Sequence, residues 1–176
     1  MSTTKWVIDP SHSEIGFKVK HLMISNVKGA FTNYEATIEG KDIFSSPVTV
    51  KIETASISTN NADRDTHLKS ADFFDVENHE SMTFKSKSLA KVDDDEYKLT
   101  GILTIKGISK DVVLDVEYGG TNTDPWGNEK LALEITGKIN RKDWGLNWNA
   151  ALETGGVLVA DEVKIAAEVQ FTKQVS

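Results

Sequence analysis

The alternation of apolar and polar residues with a period of two constrains the fold of this chain more than any other feature of its sequence. Successive side chains of a β-strand point to opposite faces, so this alternation marks strands with one apolar and one polar face. The pattern predicts about eight strands. The alternating segments lie around residues 15–21, 34–38, 48–57, 82–84, 99–105, 112–118, 131–139 and 163–171.

Short polar connections between these segments predict antiparallel neighbours, because parallel strands need a much longer crossover. Residues 93–96 and 106–107 are typical of tight hairpin turns, and residues 119–128 are typical of a longer hairpin loop. Between Ile52 and Ala55 the apolar phase shifts by one residue, which predicts a β-bulge at that place.

Two regions break the alternation. Residues 60–76 are predicted to form short helices, with Asn61 as N-cap, His67 in the last turn and a second turn that begins at Ser70. Residues 141–158 are rich in Trp, Asn and Gly, which predicts a long loop or a short helical cover. Aromatic side chains in these regions either plug one end of the fold or line a cavity mouth. These aromatics are Phe73, Phe74, Trp144 and Trp148.

Eight antiparallel strands that are each apolar on one face either close into a barrel or stack as a sandwich. A barrel of about eight strands is filled by side chains or holds one small ligand. Small residues occur on the apolar faces near strand midpoints, where they leave room inside, mark bends that barrel coiling needs, or lie opposite large partners. They are Ala36, Gly101, Gly137 and Ala167.

The size and charge of the chain exclude several classes of protein. A chain of 176 residues fits one domain, predicted as 1–176, and no apolar run reaches the roughly 18 residues of a transmembrane helix. A net charge of −7 argues against nucleic acid and anionic membranes as partners, because both are polyanions. The N-terminus enters Trp6-Val7-Ile8 without an apolar signal core, so we expect a cytoplasmic location.

No pattern typical of a catalytic, metal or cofactor site occurs in the sequence. Asp9, Ser11, His12 and Ser13 crowd one turn, where they suit hydrogen bonds to backbone amides better than a catalytic triad. The histidines lack metal-ligand spacing, cysteine is absent, and no glycine-rich phosphate loop is present. We therefore predict a binding protein without cofactor or metal rather than an enzyme.

Four ordered stretches of the sequence carry a family resemblance. They are WVIDPSHSEIGFKVKHLMISNVKGAF from Trp6, DRDTHLKSADFFDVENHESMTFKS from Asp63, GILTIKGISKDVVL from Gly101 and NRKDWGLNW from Asn140. With these stretches the chain resembles the YceI-like family of lipocalin-like isoprenoid-binding proteins, from residue 6 to about 171. The resemblance implies an all-β fold, namely an extended eight-stranded antiparallel lipocalin-like barrel with short covering helices.

The resemblance also implies an elongated apolar interior that takes a long-chain amphiphile, such as a polyisoprenoid, a quinone, a fatty acid or a fatty amide. Members of the family are often periplasmic, and because this sequence shows no leader we expect the chain to depart from them in location. Many members form dimers, so a homodimer is an expectation here as well.

We predict that the barrel interior sequesters or transports such a ligand, with His21, Arg141 and Asp143 near the mouth. His21 could instead tie the turn at 22–27, and the other two could pair with the acidic residues 161–162. The apolar positions could equally be ordinary core. The predicted ligand-binding residues are Phe17, Val19, His21, Ala36, Ile38, Val50, Phe73, Phe74, Leu99, Gly101, Leu103, Leu114, Leu133, Ile135, Arg141, Trp144, Ile165 and Ala167.

Two other functions remain open at this point. One is a stress-related module that binds another protein through its loops, for which an exposed apolar patch on 119–128 or 141–158 would be the mark. The other is an enzyme of isoprenoid or quinone metabolism, which would need a carboxylate or histidine within a polar cluster deep in the interior.

Overall fold

The structure of the chain, a computed structural model, describes residues 4–22, 24–149 and 159–175. These residues form eleven strands, one α-helix and three short 3₁₀ turns. The strands are β1 (Thr4–Ile8), β2 (Glu14–His21), β3 (Ser25–Phe31), β4 (Tyr34–Glu39), β5 (Val48–Glu53), β6 (Ile57–Ser58), β7 (Ser81–Lys91), β8 (Glu96–Ile105), β9 (Ile108–Thr123), β10 (Glu129–Asn140) and β11 (Val159–Val175). The helix is α1 (Ala62–Lys69), and the 3₁₀ turns are Pro10–His12, Thr54–Ser56 and Arg141–Trp144.

The sheet closes on itself as a barrel. Its order around the ring is β1-β4-β5-β7-β8-β9-β10-β11, and β11 pairs back with β1, every pair being antiparallel. The closed antiparallel barrel of eight strands confirms the fold that the sequence predicted and excludes the sandwich. Closure removes exposed sheet edges, which an open sheet of this size would have to protect.

Three of the eight strands in the ring are bent, and each bent strand is divided into two of the eleven segments β1–β11. The eleven segments therefore form eight strands of the ring. The hairpin pairing of β2 with β3 (Ile15 opposite Phe31) continues past the bends as the pairing of β1 with β4 (Val7 opposite Thr37). In the same way β4 pairs with β5, and β3 pairs with β6. Each bent strand therefore spans two segments, β1 with β2, β3 with β4, and β5 with β6.

The phase shift predicted as a β-bulge near residue 55 is instead a bend of this kind. Thr54–Ser56 forms a 3₁₀ turn between β5 and β6, and the Thr54 hydroxyl donates to the carbonyl oxygens of His79 and Glu80 at 2.8 and 2.9 Å. Thr54 is 1% exposed, so its hydroxyl needs these buried partners. A bulge does occur in β7, where Lys87 is the extra residue between Ser86 and Ser88.

The hairpin turns at 92–95 and 106–107 lie where the sequence placed them, and Lys106 and Gly107 have positive φ of 54° and 75°. The predicted loop 119–128 was too long, because β9 and β10 continue pairing out to Thr123 and Glu129. Residues 124–128 make the connection. There the Asp124 side chain accepts from the backbone N–H groups of Trp126 and Asn128, each at 2.9 Å, which stabilises a tight loop.

Helix α1 begins as predicted, with the Asn61 side chain accepting from the Arg64 backbone N–H at 3.0 Å. The predicted second helix is absent. Ser70 instead opens a series of turns, in which its carbonyl oxygen accepts from Phe73 and Asp75. Asp75 has a positive φ of 49°, a conformation that cannot continue a right-handed helix. Residues 150–158 of the predicted cover 141–158 lie outside the described residues.

The two ends of the barrel differ. We call the end that carries α1, the 106–107 turn and residues 141–149 the helix end, and the end that carries the connections 40–47, 92–95 and 124–128 the hairpin end. Buried apolar residues form two clusters, one of which includes Phe31, Phe73, Ile105, Trp144 and Leu146 and the other Trp6, Ile8, Ile38, Leu131 and Phe171.

The bend between β1 and β2 is held by a polar cluster around Asp9. One carboxylate oxygen accepts from the Ser11 backbone N–H at 3.1 Å and from the Ser11 hydroxyl at 2.7 Å. The other lies 2.8 Å from His12 Nδ1 and 3.2 Å from Lys130 Nζ. Lys130 also donates to the Thr172 hydroxyl at 2.7 Å, so the cluster joins the bend to β10 and β11. The Ser11 hydroxyl, followed by His12, lowers the pKa of the Asp9 carboxyl well below 3.8.

This shift makes stability depend on pH. Because the folded pKa of Asp9 lies below its unfolded value, the carboxylate stabilises the fold above about pH 4, and this stabilisation is lost as the pH falls below that value. We expect Asp9→Asn to lower the urea midpoint at pH 7 and to differ less from the wild type at pH 3. Asp94→Asn, an exposed hairpin-turn variant, serves as control. A difference between Asp9→Asn and wild type that is the same at both pH values would contradict this role.

Candidate functional site

A cavity of about 820 Å³ runs through the barrel between its two ends. This volume falls within the roughly 300–1,000 Å³ that small-molecule sites occupy. Its lining is overwhelmingly apolar and comes from nearly every strand of the ring. Residues at both ends of the barrel contribute, Phe44 in the 40–47 connection at the hairpin end and His67 of α1 at the helix end.

The burial pattern of the inward side chains shows that the middle of the barrel is hollow. Leu131 lies at the hairpin end of β10 and is 0% exposed, as expected for packed core. Leu133 and Ile135 follow on the same face of the same strand, yet both are only half-buried and line the cavity. Their side chains point inward, so their residual exposure is to the void rather than to bulk solvent.

Most of the predicted ligand-binding residues line this cavity. Gly101 and Trp144 do not, and the prediction was wrong about their placement. Whether the others contact a ligand stays a prediction. The predicted residues that line the cavity are Phe17, Val19, His21, Ala36, Ile38, Val50, Phe73, Phe74, Leu99, Leu103, Leu114, Leu133, Ile135, Arg141, Ile165 and Ala167.

The small inward residues divide into two kinds. Ala36 and Ala167 line the cavity and leave room. Gly101 and Gly137 are covered instead, because a Cβ at these positions would lie 2.4 Å from the Phe84 ring and 2.6 Å from the Leu114 side chain. These glycines therefore make space for a neighbouring large side chain, an arrangement known to pin sheet register. Ala36 and Ala167 thus fit the prediction of room inside, and Gly101 and Gly137 fit the alternative that small residues lie opposite large partners.

Trp144 is a structural anchor rather than a lining residue. Its side chain is 2% exposed, and its indole Nε1 donates to the Leu103 carbonyl oxygen at 2.9 Å. The 3₁₀ turn that it ends is thereby fixed to β8. The sequence placed Trp144 near the cavity only because this residue lies in a predicted cover segment. The sequence does not show that the indole ring packs beside the barrel opening.

Aromatic rings from two segments cover the helix end. The His67 ring packs edge-on against Phe73 and Trp148, with centroid distances of 5.2 and 4.5 Å. His67 Nε2 lies 2.9 Å from an oxygen of Asp72, which fixes the ring. These rings line the cavity and also cover its helix end. The two predicted alternatives, a plug and the lining of a cavity mouth, therefore apply to the same residues.

Arg141, predicted as a mouth contact, is 3% exposed, and its guanidinium bonds to the backbone of the protein. Its guanidinium donates to backbone carbonyl oxygens of Ala160 (2.9 Å), Leu146, Trp148 (2.9 Å) and Val159 (3.2 Å). Burial lowers the pKa of the guanidinium, and the nearby charge of an acidic residue opposes that shift. The cation thus holds residues 146–148 against the start of β11.

The alternative pairing of Arg141 with residues 161–162 is present only as one long contact. Arg141 Nη2 lies 4.0 Å from the Asp161 carboxylate, and Lys142 lies closer to it at 3.3 Å. Asp143 is exposed and does not line the cavity.

His21 lines the cavity, and its backbone rather than its ring ties the following turn. The Ser25 hydroxyl and the Ile24 N–H donate to the His21 carbonyl oxygen at 3.1 and 3.3 Å. Within the described part of the chain its imidazole has no hydrogen-bond partner. The ring is therefore available to a ligand, and its role as a mouth contact stays a prediction.

Sequence reasoning missed the lining at the hairpin end. Phe44, Ser86, Tyr97 and Tyr118 all line the cavity there. Tyr118 and Tyr97 have the inward parity of their strands, so alternation could have found them. Nothing in the sequence of the 40–47 connection indicates that Phe44 reaches the barrel mouth.

The structure brings Asp9, Ser11 and His12 together without forming a triad. The Ser11 hydroxyl and the Asp9 carboxylate both approach the same ring nitrogen, His12 Nδ1, at 3.1 and 2.8 Å. A triad needs its acid and its nucleophile on opposite nitrogens. Within residues 4–22, 24–149 and 159–175, no three His, Asp or Glu side chains converge as metal ligands, and no helix could cross a bilayer.

Comparisons with known proteins agree with this architecture. The family model of the YceI-like domain matches residues 6–171. UPF0312 protein SA2479 of Staphylococcus aureus strain N315 is 41% identical over 172 residues, which cover 96% of this chain and 98% of that protein. The Campylobacter jejuni YCEI protein superposes with a TM-score of 0.73 at 38% identity, over 93% of this chain and 95% of its own.

A further comparison shows a likeness of fold alone. A polyisoprenoid binding domain from Saccharophagus degradans has a TM-score of 0.70 at 13% identity, over 95% of this chain and 97% of its own.

Arg141→Met provides a test of the structural role of Arg141. The substitution leaves buried carbonyl oxygens without their donor, so we expect a loss of about 3 kcal/mol or more in the free energy of unfolding, measured by urea denaturation. Lys142→Met, which removes an exposed ion pair one residue away, should change it by less than about 1 kcal/mol. Wild-type stability in Arg141→Met would show that the guanidinium does not hold the cover.

Proposed function

This chain belongs to the YceI-like family, and on that premise we propose that it binds a long-chain apolar amphiphile inside its barrel and sequesters or transports it. The proposed ligands are a polyisoprenoid, a quinone with a long tail, or a fatty acid or amide. The observation that carries the proposal is the cavity of about 820 Å³, whose central lining is apolar on every side.

Burial of the ligand chain accounts for binding without directional chemistry. Each buried CH₂ contributes about 0.8 kcal/mol, so about ten buried carbons contribute about 8 kcal/mol before association costs. A lining made of Val, Leu, Ile and Phe side chains offers dispersion contacts but few hydrogen bonds. Selectivity for the tail therefore depends on the length and bore of the cavity.

The comparisons support the same ligand class. The Saccharophagus degradans domain with the same fold is described as polyisoprenoid binding. The ligand of this chain is our extension of that description, since the two sequences share 13% identity. A cytoplasmic location and a homodimer stay predictions from the sequence.

An enzyme of isoprenoid or quinone metabolism has less support. Such an enzyme would hold a carboxylate or histidine in the middle of the cavity, within reach of a bound chain. Among the described residues, the ionisable groups that line the cavity lie near its ends, as His21, Asp63 and His67 do near α1. The apolar middle offers no general acid or base.

One observation favours the alternative of a protein-interaction module. Trp126, in the connection between β9 and β10, is 83% exposed. Large aromatic residues of this kind are frequent in interface hot spots. It is a single side chain on a tight loop rather than the contiguous apolar patch that the alternative requires.

Native mass spectrometry of the purified protein, followed by solvent extraction, tests the proposed function directly. We expect an adduct whose extract contains one class of long-chain amphiphile. Protein that carries no such molecule, and takes up none from a mixture of long-chain lipids, would overturn the proposal.

Ala36→Trp tests whether the cavity itself is the binding site. The indole would fill part of the bore beside Val50, which lies opposite Ala36 in the β4–β5 pair, and we expect at least tenfold weaker uptake of a long-chain probe. Glu35→Trp introduces the same ring on the outer face of β4 and should leave uptake unchanged. Circular dichroism checks that both variants fold. Equal uptake by the two folded variants would place the ligand elsewhere.

A further inference from the structure

A row of glutamates crosses the outer wall of the barrel. Five adjacent strands each contribute one glutamate, and neighbouring members stand directly opposite each other in the strand register. From β8 to β2 the members of this glutamate row are Glu96, Glu117, Glu134, Glu168 and Glu14. All five side chains are exposed, and within the described part of the chain none of them forms an ion pair.

A row of lysines lies parallel to the glutamate row, four residues closer to the helix end. From β10 to β3 the members of this lysine row are Lys138, Lys164, Lys18 and Lys28, again directly opposite one another. Lys138 has one long contact of 3.9 Å with Glu162, and the other three form no ion pair among the described residues. At about 3.3 Å per residue, four residues separate the two rows by about 13 Å.

Separation of the charges into two rows costs stability in the isolated barrel. Like charges that stand opposite each other on neighbouring strands repel, whereas opposite charges attract. Lys98 shows the favourable arrangement elsewhere on the wall, since it stands opposite Asp115 and pairs with its carboxylate. A partner surface that carries the opposite charges would offset the repulsion within each row.

Small side chains occupy the strip between the two rows. On β10, β11 and β2 the outward positions there are Thr136, Ala166 and Gly16, which stand opposite one another. Stacked sheets are usually about 10 Å apart, and short side chains let a second sheet come at least that close. Charged side chains at the two edges of the strip can then reach across to a partner.

The face formed by β10, β11 and β2 is complementary to itself. A half-turn about an axis through Ala166, perpendicular to the sheet, exchanges the positions of the two rows. A two-fold axis of this kind makes the same patch serve both subunits, so each contact occurs twice. The pairs between two copies are Lys164 with Glu168, Lys18 with Glu134 and Lys138 with Glu14.

We propose that this face joins two copies of the chain, related by a two-fold axis at Ala166 of β11. The charges of the two rows nearly balance, so the face does not share the net charge of −7 that makes whole molecules repel. A polyanion such as nucleic acid or an acidic membrane fits poorly, because the glutamate row lies beside the lysine row. The contacts lie on the side wall and leave both barrel ends free, so the proposal does not depend on what the cavity binds.

Charge reversal tests the proposed contact. The lysine-row variant combines Lys18→Glu with Lys164→Glu, and the glutamate-row variant combines Glu134→Lys with Glu168→Lys. In sedimentation experiments we expect the wild type to dimerise, with a dissociation constant that rises at least tenfold between about 20 and about 500 mM salt. Each variant alone should be monomeric. An equimolar mixture of the two should form a heterodimer, because each altered row then meets its altered counterpart.

A matched control separates the contact from the effect of net charge. Lys51→Glu with Lys85→Glu makes the same change of charge at exposed positions of β5 and β7. This control should dimerise as the wild type does. Mixed with the glutamate-row variant it should give no heterodimer, although the net charges equal those of the first mixture. Circular dichroism checks that every variant folds.

Cross-linking locates the axis without any reversal of charge. The chain has no cysteine, so Ala166→Cys introduces a single thiol at the proposed axis, and a short bismaleimide should link two copies there. Glu35→Cys, on the outer face of β4, should remain unlinked.

Several results would overturn the proposal. They are a wild type that stays monomeric at low salt, row variants that dimerise as the wild type does, and two row variants that stay monomeric when mixed. Dimers that are linked through Glu35→Cys but not through Ala166→Cys would place the interface on another face.

Discussion

Closure of the sheet between β11 and the bent strand β1–β2 is the constraint on which the rest of the structure depends. The two halves of β11 pair with β1 and β2, and this single strand completes the ring. Once eight antiparallel rows are closed, every inward side chain faces the barrel axis. The circumference of such a ring allows an interior that is either filled or holds one ligand. Here the inward side chains at mid-barrel do not fill the ring, and a cavity of about 820 Å³ remains.

Small residues serve two separate purposes within that ring. Alanine at positions 36 and 167 widens the bore, because a methyl group leaves the axis open. Glycine at positions 101 and 137 accepts a neighbouring side chain against the backbone, and Gly29 does the same for the Phe17 ring, which would lie 2.4 Å from a Cβ. The glycines thus let large apolar side chains lie flat along the wall. Both uses keep the middle of the barrel free of side chains.

The polar groups of the cavity are distributed unequally between its ends. At the helix end, the side chains of Arg64 and Arg141 donate to backbone oxygens and the His67 ring contacts the Asp72 carboxylate, and these contacts hold the cover in place. At the hairpin end, hydroxyl groups lie beside aromatic rings and are not required by the fold. Interactions that the fold already uses cannot contribute to ligand recognition without a cost in stability.

Much of the architecture follows from the sequence alone. A period of two in apolar residues sets which side chains share a face, and hairpin turns set antiparallel order, so the strands, the barrel and the inward direction of many side chains could be predicted. Helix α1 followed from its cap and charge order for the same local reason. These features depend on neighbours a few residues apart in the chain.

Tertiary structure alone decided which inward residues line a void and which are packed. Parity treats Leu131 and Leu133 as equivalent, yet one is fully buried and the other faces the cavity, because their depth along the axis differs. Trp144 and Arg141 were expected at the mouth, but both donate to carbonyl oxygens on other segments. Trp144 fixes its 3₁₀ turn to β8, and Arg141 holds residues 146–148 against the start of β11. Phe44 reaches two tyrosines more than fifty residues away in the chain. Alternation determines only the face of the sheet to which a side chain points. The depth of that side chain along the barrel axis and its long-range partners depend on how the closed ring brings distant segments together.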